Sequence, residues 1–84
     1  MRAKIGNKMV EVWQISHQPI SESWVRQSFD KKLLSWHQIY PDDLLVNAPW
    51  SVSIGKIGDY LIKDGNQISL ITQQQFDKTY RLAN

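Results

Sequence analysis

The chain contains no cysteine in its 84 residues, so neither a disulfide nor a cysteine-based metal cluster can hold it together. A chain of this length buries only about 60 to 65% of the surface that its unfolded form exposes. Four tryptophans and a hydrophobic content of 42% supply the burial, because each aromatic ring removes about 150 to 250 Å² from water. We therefore expect a single domain, residues 1–84, that depends on aromatic burial.

Composition argues against several classes of protein. Lys and Arg number 10 against 8 Asp and Glu, so the formal net charge is only +2, and with this hydrophobic content disorder is not expected. No apolar stretch approaches the roughly 18 to 20 residues of a membrane span, and the basic start is not followed by the apolar run of a signal peptide. We expect a cytoplasmic protein without membrane contact, which the lack of cysteine favours.

The first periodic segment predicts a strand. Between Lys8 and Ile15, apolar residues occupy both alternating faces of an extended chain. One face carries Trp13 and Ile15, and the other carries valines at positions 10 and 12. This pattern predicts a strand with both faces at least partly covered.

The next segment predicts a helix of about three turns. Pro19 ends the strand region, and Ser21 is a suitable N-cap because its hydroxyl can accept an unpaired backbone N–H. Apolar residues then recur at helical spacing and form one stripe, at Val25, Phe29, Leu33 and Trp36. The helix should end near residues 34–36, because Tyr40-Pro41-Asp42-Asp43 is a turn in which the residue before the proline is pushed out of the α region.

The second half of the chain predicts short strands separated by turns. The strand-like segments are residues 44–46, 50–54, 60–62 and 67–71, with Asn47-Ala48-Pro49 as an interruption between the first two. Asp64-Gly65 predicts a tight hairpin, and Thr72-Gln73-Gln74-Gln75 fits the capping box of a short helix. This order of elements predicts an α+β domain with a small antiparallel sheet, one helix in the N-terminal half and a short C-terminal helix.

The C-terminal half resembles a set of small uncharacterised phage and prophage proteins. Their shared pattern is Gly-Asp-Tyr/Trp-Ile-Ile, a glycine after a short gap, and then Phe with Thr-Tyr shortly after it. In this chain the pattern falls on Gly58, Asp59, Tyr60, Gly65, Phe76 and Tyr80. The segment Val10-Glu11-Val12-Trp13-Gln14 is similar to their opening strand, whereas Asn66-Gln67 and Arg81 stand where they carry acidic residues. The resemblance implies a phage or prophage context and brings no established activity.

The residues of this signature have a structural explanation. Gly58 permits a turn conformation that a Cβ would oppose, and Asp59 can accept backbone N–H groups across that turn. Tyr60 begins a strand with its ring on the core face. The functional alternative is a polar spot formed by Asp59 and Tyr60 at the end of a sheet.

The sequence carries no recognisable pattern for catalysis or cofactor binding. His17 and His37 lack partners at the spacing of metal ligands. The turn from Gly55 to Gly58 lacks the Lys-Ser/Thr that completes a phosphate-binding loop, and no serine lies in a nucleophile elbow. We therefore expect a protein without a metal, a cofactor or an enzymatic activity.

The four tryptophans are the most informative residues about function. Trp13 and Trp36 have positions consistent with a core. Trp24 lies one residue off the helical stripe, which predicts a place at its rim, and Trp50 lies in a loop. For Trp24 and Trp50, binding of a partner explains the ring nearly as well as burial. We expect a protein-interaction module whose partner is a phage protein, a host protein or a second copy in a homodimer.

Nucleic-acid binding is the alternative function. Arg2, Lys4 and Lys8 form a basic N-terminal arm, and Lys31 and Lys32 add charge at the end of the predicted helix. Exposed tryptophan rings can stack on bases next to such cations. The eight acidic residues of the same chain weigh against this function.

Overall fold

The computed structural model describes residues 1–48 and 50–83. Its strands are β1 (Arg2–Ile5), β2 (Lys8–Gln14), β3 (Leu34–Trp36), β4 (Asp43–Asn47), β5 (Val52–Lys56), β6 (Tyr60–Asp64), β7 (Gln67–Ile71) and β8 (Arg81–Ala83). Helix α1 (Ser23–Asp30) lies between β2 and β3, and α2 (Gln73–Thr79) lies between β7 and β8. The predicted α+β class is confirmed. Pro49, predicted to interrupt the chain before β5, lies outside the described residues.

The strands form two antiparallel sheets, where the sequence predicted one. The larger sheet has the order β7-β6-β2-β1-β8, and the smaller has the order β3-β4-β5. Strand β2 is the centre of the larger sheet. Val10 and Val12 are buried on one face; on the other Trp13 is buried, whereas Met9 and Glu11 are exposed. The prediction of a strand with both faces at least partly covered is therefore confirmed.

The first core lies between the larger sheet, α1 and the smaller sheet. Its buried members are Trp13, Ile15, Trp24, Val25, Leu34, Leu44 and Leu61. The ring of Trp13 meets Phe29 edge to face, with 6.3 Å between centroids. Gly55 of β5 lets the two sheets approach closely, because a Cβ there would lie 2.7 Å from the Ile15 Cδ1 and 2.8 Å from the Leu70 Cδ1.

The second core covers the opposite face of the larger sheet, beneath α2. Its buried members are Ala3, Val10, Val12, Tyr60, Ile62 and Phe76. The rings of Tyr60 and Phe76 stack at 3.7 Å between centroids, and Tyr80 stacks on Phe76 at 5.2 Å. Thr72 begins α2 as predicted, because its hydroxyl accepts the Gln75 N–H at 3.2 Å.

The signature residues perform the structural roles predicted for them. Gly58 has φ of 97°, the left-handed region that favours glycine. The Asp59 carboxylate accepts the Lys56 N–H and the Gln73 N–H, each at 3.1 Å. This one side chain therefore joins the turn after β5 to the first residue of α2. Tyr60 follows in β6 with its ring in the second core.

Helix α1 is shorter than predicted. Its N-cap is Glu22 and not Ser21, whose hydroxyl donates to the Glu22 carboxylate. The helix ends at Asp30 in a Schellman motif: the Leu33 N–H bonds the Ser28 carbonyl at 2.9 Å, and the Lys32 N–H bonds the Phe29 carbonyl at 3.0 Å. The predicted third turn is wrong because this motif stops the helix.

The residues beyond this motif belong to a strand. Leu34 and Trp36 pair with β4 in the smaller sheet, so the helical spacing of Trp36 from Leu33 did not reflect a helix. The motif was missed because Lys32, with φ of 65°, occupies the position where glycine is usual.

The N-terminal segment is also a strand rather than an arm. β1 pairs with β2 and with β8, so Arg2 and Lys4 are held in the larger sheet. The turn between β1 and β2 contains Gly6, with φ of 59°. Gly6-Asn7 between two strand-like segments is a recognised hairpin pattern and was the available clue.

Replacing Lys32 by glycine should stabilise the protein. Lysine at φ of 65° is strained, and glycine adopts this conformation without a steric cost. We expect Lys32→Gly to raise the free energy of unfolding by about 0.5 to 1 kcal/mol in urea titrations. The matched control is Lys31→Gly at φ of −84°, which should lower the free energy of unfolding. Equal effects of the two variants would contradict the strain assigned to Lys32.

Alkaline pH should destabilise the fold through Tyr60. Burial raises the pKa of Tyr60 above its ordinary value of 10.0, and the negative charge of Asp77 raises it further. The folded state thus holds this proton more tightly than the unfolded state does. The resulting stability is complete below pH 10.0 and is lost as the pH rises through the raised pKa.

The measurement is the free energy of unfolding between about pH 8 and pH 11. Tyr60→Phe should show a shallower alkaline loss than the parent protein. Tyr40→Phe, at an exposed position, should keep the parent slope. Identical slopes for the parent and Tyr60→Phe would show that Tyr60 does not cause the loss.

Candidate interaction surface

The outer face of the smaller sheet is apolar and exposed. Side chains of β5 alternate, so Gly55 lies on the core face while Val52 and Ile54 lie on the outer face. Val52 is 58% exposed and Ile54 is 51% exposed. Leu45 of β4 pairs with Ile54 and is half-buried on the same face. We call the group Leu45, Val52 and Ile54 the outer face.

Strand β5 also has a free edge, since its only partner in the sheet among the described residues is β4. Lys56 shows the direction of that edge. Its N–H bonds the Asp59 carboxylate and its carbonyl accepts the Asp59 N–H at 2.9 Å, so both groups point away from β4. Backbone groups of alternate residues point the same way in a strand, so those of Val52 and Ile54 also point away from β4.

These outward groups have no hydrogen-bond partner in the part of the chain that the structure describes. Within residues 1–48 and 50–83, the N–H and C=O groups of Val52 and Ile54 have no backbone partner outside the sheet. Unpaired strand edges are templates on which another extended chain can pair. No residue from position 50 to position 55 is charged, and the Lys56 Nζ lies 2.7 Å from Asp43 Oδ1. The edge is therefore neutral as well as free.

Trp50 lies beside this edge, in the loop between β4 and β5. It is 93% exposed and precedes β5, so the predicted loop position is confirmed. The loop is closed by the Ala48 N–H, which donates to the Ser51 carbonyl at 2.9 Å. Binding of a partner by Trp50 stays a prediction.

Trp24 lies in the first core, so the prediction of a position at the rim is wrong. It is only 7% exposed. α1 buries Trp24, Val25 and Ser28, and the buried Ser28 hydroxyl is satisfied within the helix, where it donates to the Trp24 carbonyl at 2.7 Å. Phe29 is only partly buried, so the core-facing side of the helix is rotated from the predicted stripe. The Trp24 ring is not available at the surface.

The histidines make local contacts. The His17 Nε2 lies 3.0 Å from Asp42 Oδ1, and its ring packs on Trp36 at 4.2 Å between centroids. The His37 Nδ1 accepts the N–H groups of Ile39 and Tyr40. No three His, Asp or Glu residues in the described part of the chain converge as metal ligands.

Sequence reasoning missed Val52 and Ile54 as surface residues. Their alternation with Ser51, Ser53 and Gly55 predicted a strand with one apolar side. It did not predict which side faces the core. The core side of β5 carries Gly55, which has no side chain, and the side chains of Ile15 and Leu70 approach it there. Asp59 and Tyr60 do not form the polar spot of the functional alternative. The Asp59 carboxylate accepts two backbone N–H groups, and the Tyr60 ring is buried.

Of the two described helices, neither is long and apolar enough to cross a membrane. Comparisons of the chain with models of protein families, with curated proteins and with solved structures find no match. Arguments about function therefore rest on the geometry of the surface.

Proposed function

We propose that the protein is a small non-enzymatic protein-interaction module that self-associates through β5. The observation that carries this proposal is the free edge at Val52 and Ile54, next to the exposed outer face. Adding a strand to such an edge gains main-chain hydrogen bonds and covers apolar side chains.

A second copy of β5 satisfies the free groups in one particular register. Antiparallel pairing about a twofold axis at Ser53 places Val52 opposite Ile54 of the second copy and forms four backbone hydrogen bonds. Pairing centred on Ile54 would require the backbone groups of Lys56, which Asp59 already occupies. The same patch on both copies then makes a closed dimer.

Side-chain chemistry supports this register. The two small sheets become one sheet of six strands, and the outer faces of both copies form a continuous apolar surface. The neutral segment from position 50 to position 55 brings no like charges together. The register also brings Lys56 toward the segment that carries Trp50 of the second copy, where a cation can lie over the ring.

Charge on the outer face should disrupt the dimer. In sedimentation over about 1 to 500 µM we expect the parent protein to dimerise with a micromolar Kd, as small interfaces do. Ile54→Lys, which acts once in each copy, should raise the Kd by about tenfold or more. The matched control Leu82→Lys, at an exposed leucine of β8, should leave the Kd unchanged. A parent protein that stays monomeric throughout would overturn the proposal.

A second variant tests the hydrogen bonds separately from the apolar contact. Ile54→Pro removes an outward N–H that β4 does not use, so the β4 pairing is kept. It should weaken the dimer while far-ultraviolet circular dichroism remains that of the parent. A dimer unaffected by Ile54→Pro would show that the β5 edge is not the contact.

The sequence resemblance supports one further part of this proposal, that the module serves a phage or prophage and that a phage or host protein is its other partner. The residues that carry the resemblance lie between Val10 and Gln14 and between Gly58 and Tyr80, and they do not include the β5 edge. We expect the gene to lie among other phage genes. A gene neighbourhood free of phage genes would contradict this part of the proposal and would leave the self-association unaffected.

A further inference from the structure

The face of the larger sheet that carries the first core is covered over only part of its width. Trp13 and Leu61 lie beneath α1 and the smaller sheet, whereas the residues of β1 and β8 on the same side are exposed or half-buried. Strand pairing shows which residues share this side. Arg2 pairs with Glu11, Glu11 pairs with Lys63, and Lys4 pairs with Arg81.

Paired residues point to the same side of a sheet. These residues therefore form one surface, which we call the basic face: Arg2, Lys4, Lys63 and Arg81, with Glu11 among them. Four cations and one acid give it a charge of +3, which exceeds the net charge of +2 on the whole chain. The positive charge of the protein is therefore concentrated here.

Within residues 1–48 and 50–83, the cations of the basic face are not neutralised by ion pairs. Lys4 and Arg81 stand directly opposite each other, an arrangement that costs stability because like charges repel. None of the four cations forms an ion pair with an acid among the described residues. Glu22, at the edge of this face, is paired with the Met1 amino group at 3.5 Å. An anion that bridges Lys4 and Arg81 would remove the repulsion.

We propose that the basic face binds the phosphate backbone of nucleic acid without reading base sequence. Arg2 and Lys4 are two residues apart on β1, so their positions are separated by roughly 6.6 Å, and neighbouring strands lie about 4.8 Å apart. This array is flat and extended, as a line of phosphates requires. None of its strand positions carries an aromatic residue on which a base can stack.

An anionic membrane is the less favoured ligand for the same face. Peripheral binding to lipid gains from apolar side chains that enter the interface. Among the exposed strand residues of this side, Met9 is the large apolar one. Phosphates on a polymer therefore suit the surface better than phosphates on a bilayer.

This site differs from the basic arm predicted from the sequence. Lys8 points to the opposite side of the larger sheet, where it pairs with Asp64. Lys31 and Lys32 follow the last residue of α1 and are not part of the strands that carry the basic face. Of the five predicted cations only Arg2 and Lys4 belong to the basic face, and Lys63 and Arg81 complete it.

Fluorescence anisotropy with a labelled duplex of about 20 base pairs, between about 50 and 200 mM KCl, tests the proposal. Four phosphate contacts predict that the logarithm of the affinity falls against the logarithm of the salt concentration with a slope of about −3.6. Lys4→Gln/Arg81→Gln should weaken binding about tenfold or more and reduce the slope by about 2. The control Lys31→Gln/Lys32→Gln changes the net charge equally and should change affinity less than about twofold.

Glu11→Gln removes the one acid of the basic face and should strengthen binding, a result that misfolding cannot produce. The same titrations with vesicles of phosphatidylcholine and phosphatidylserine separate the polymer from a bilayer. Tighter binding to those vesicles than to the duplex, equal losses in the two double variants, or no binding of the duplex at about 50 µM protein would each overturn the proposal.

Discussion

The burial of β2 on both faces is the constraint on which the rest of the protein depends. Val12 completes the second core beneath α2, and Trp13 completes the first core beneath α1 and the smaller sheet. Side chains alternate with a period of two, so a shift of one residue in the register of β2 would exchange the two cores. With no disulfide in the chain, this shared strand is what makes two small apolar clusters one cooperative structure.

Features with a local cause were predictable from the sequence, and those that depend on distant pairing were not. The Asp64-Gly65 hairpin and the Thr72 cap follow from residues next to each other, and both are present. β8 has three residues and exists because β1, at the other end of the chain, pairs with it. The end of α1 was missed because its Schellman motif lacks glycine.

The same distinction holds for the two proposed surfaces. The loop position of Trp50 could be predicted because Trp50 directly follows a proline in the sequence. The free edge of β5 could not, because it depends on which strands the other elements pair with. The basic face could not be read from charge runs either, since Lys63 and Arg81 join Arg2 and Lys4 only through pairing across the four strands β6, β2, β1 and β8.

In the dimer that we propose, the bonds between Asp59 and Lys56 would limit how long a contact at β5 lasts. The Asp59 carboxylate and N–H occupy the backbone of Lys56, so among the described residues of β5 the outward groups of Val52 and Ile54 are left for a second strand. Each backbone hydrogen bond contributes about 0.5 to 1.5 kcal/mol net, so a contact of this length would dissociate quickly. The same residue that anchors α2 would then make the protein an exchangeable component, able to leave one partner and join another, rather than a permanent subunit.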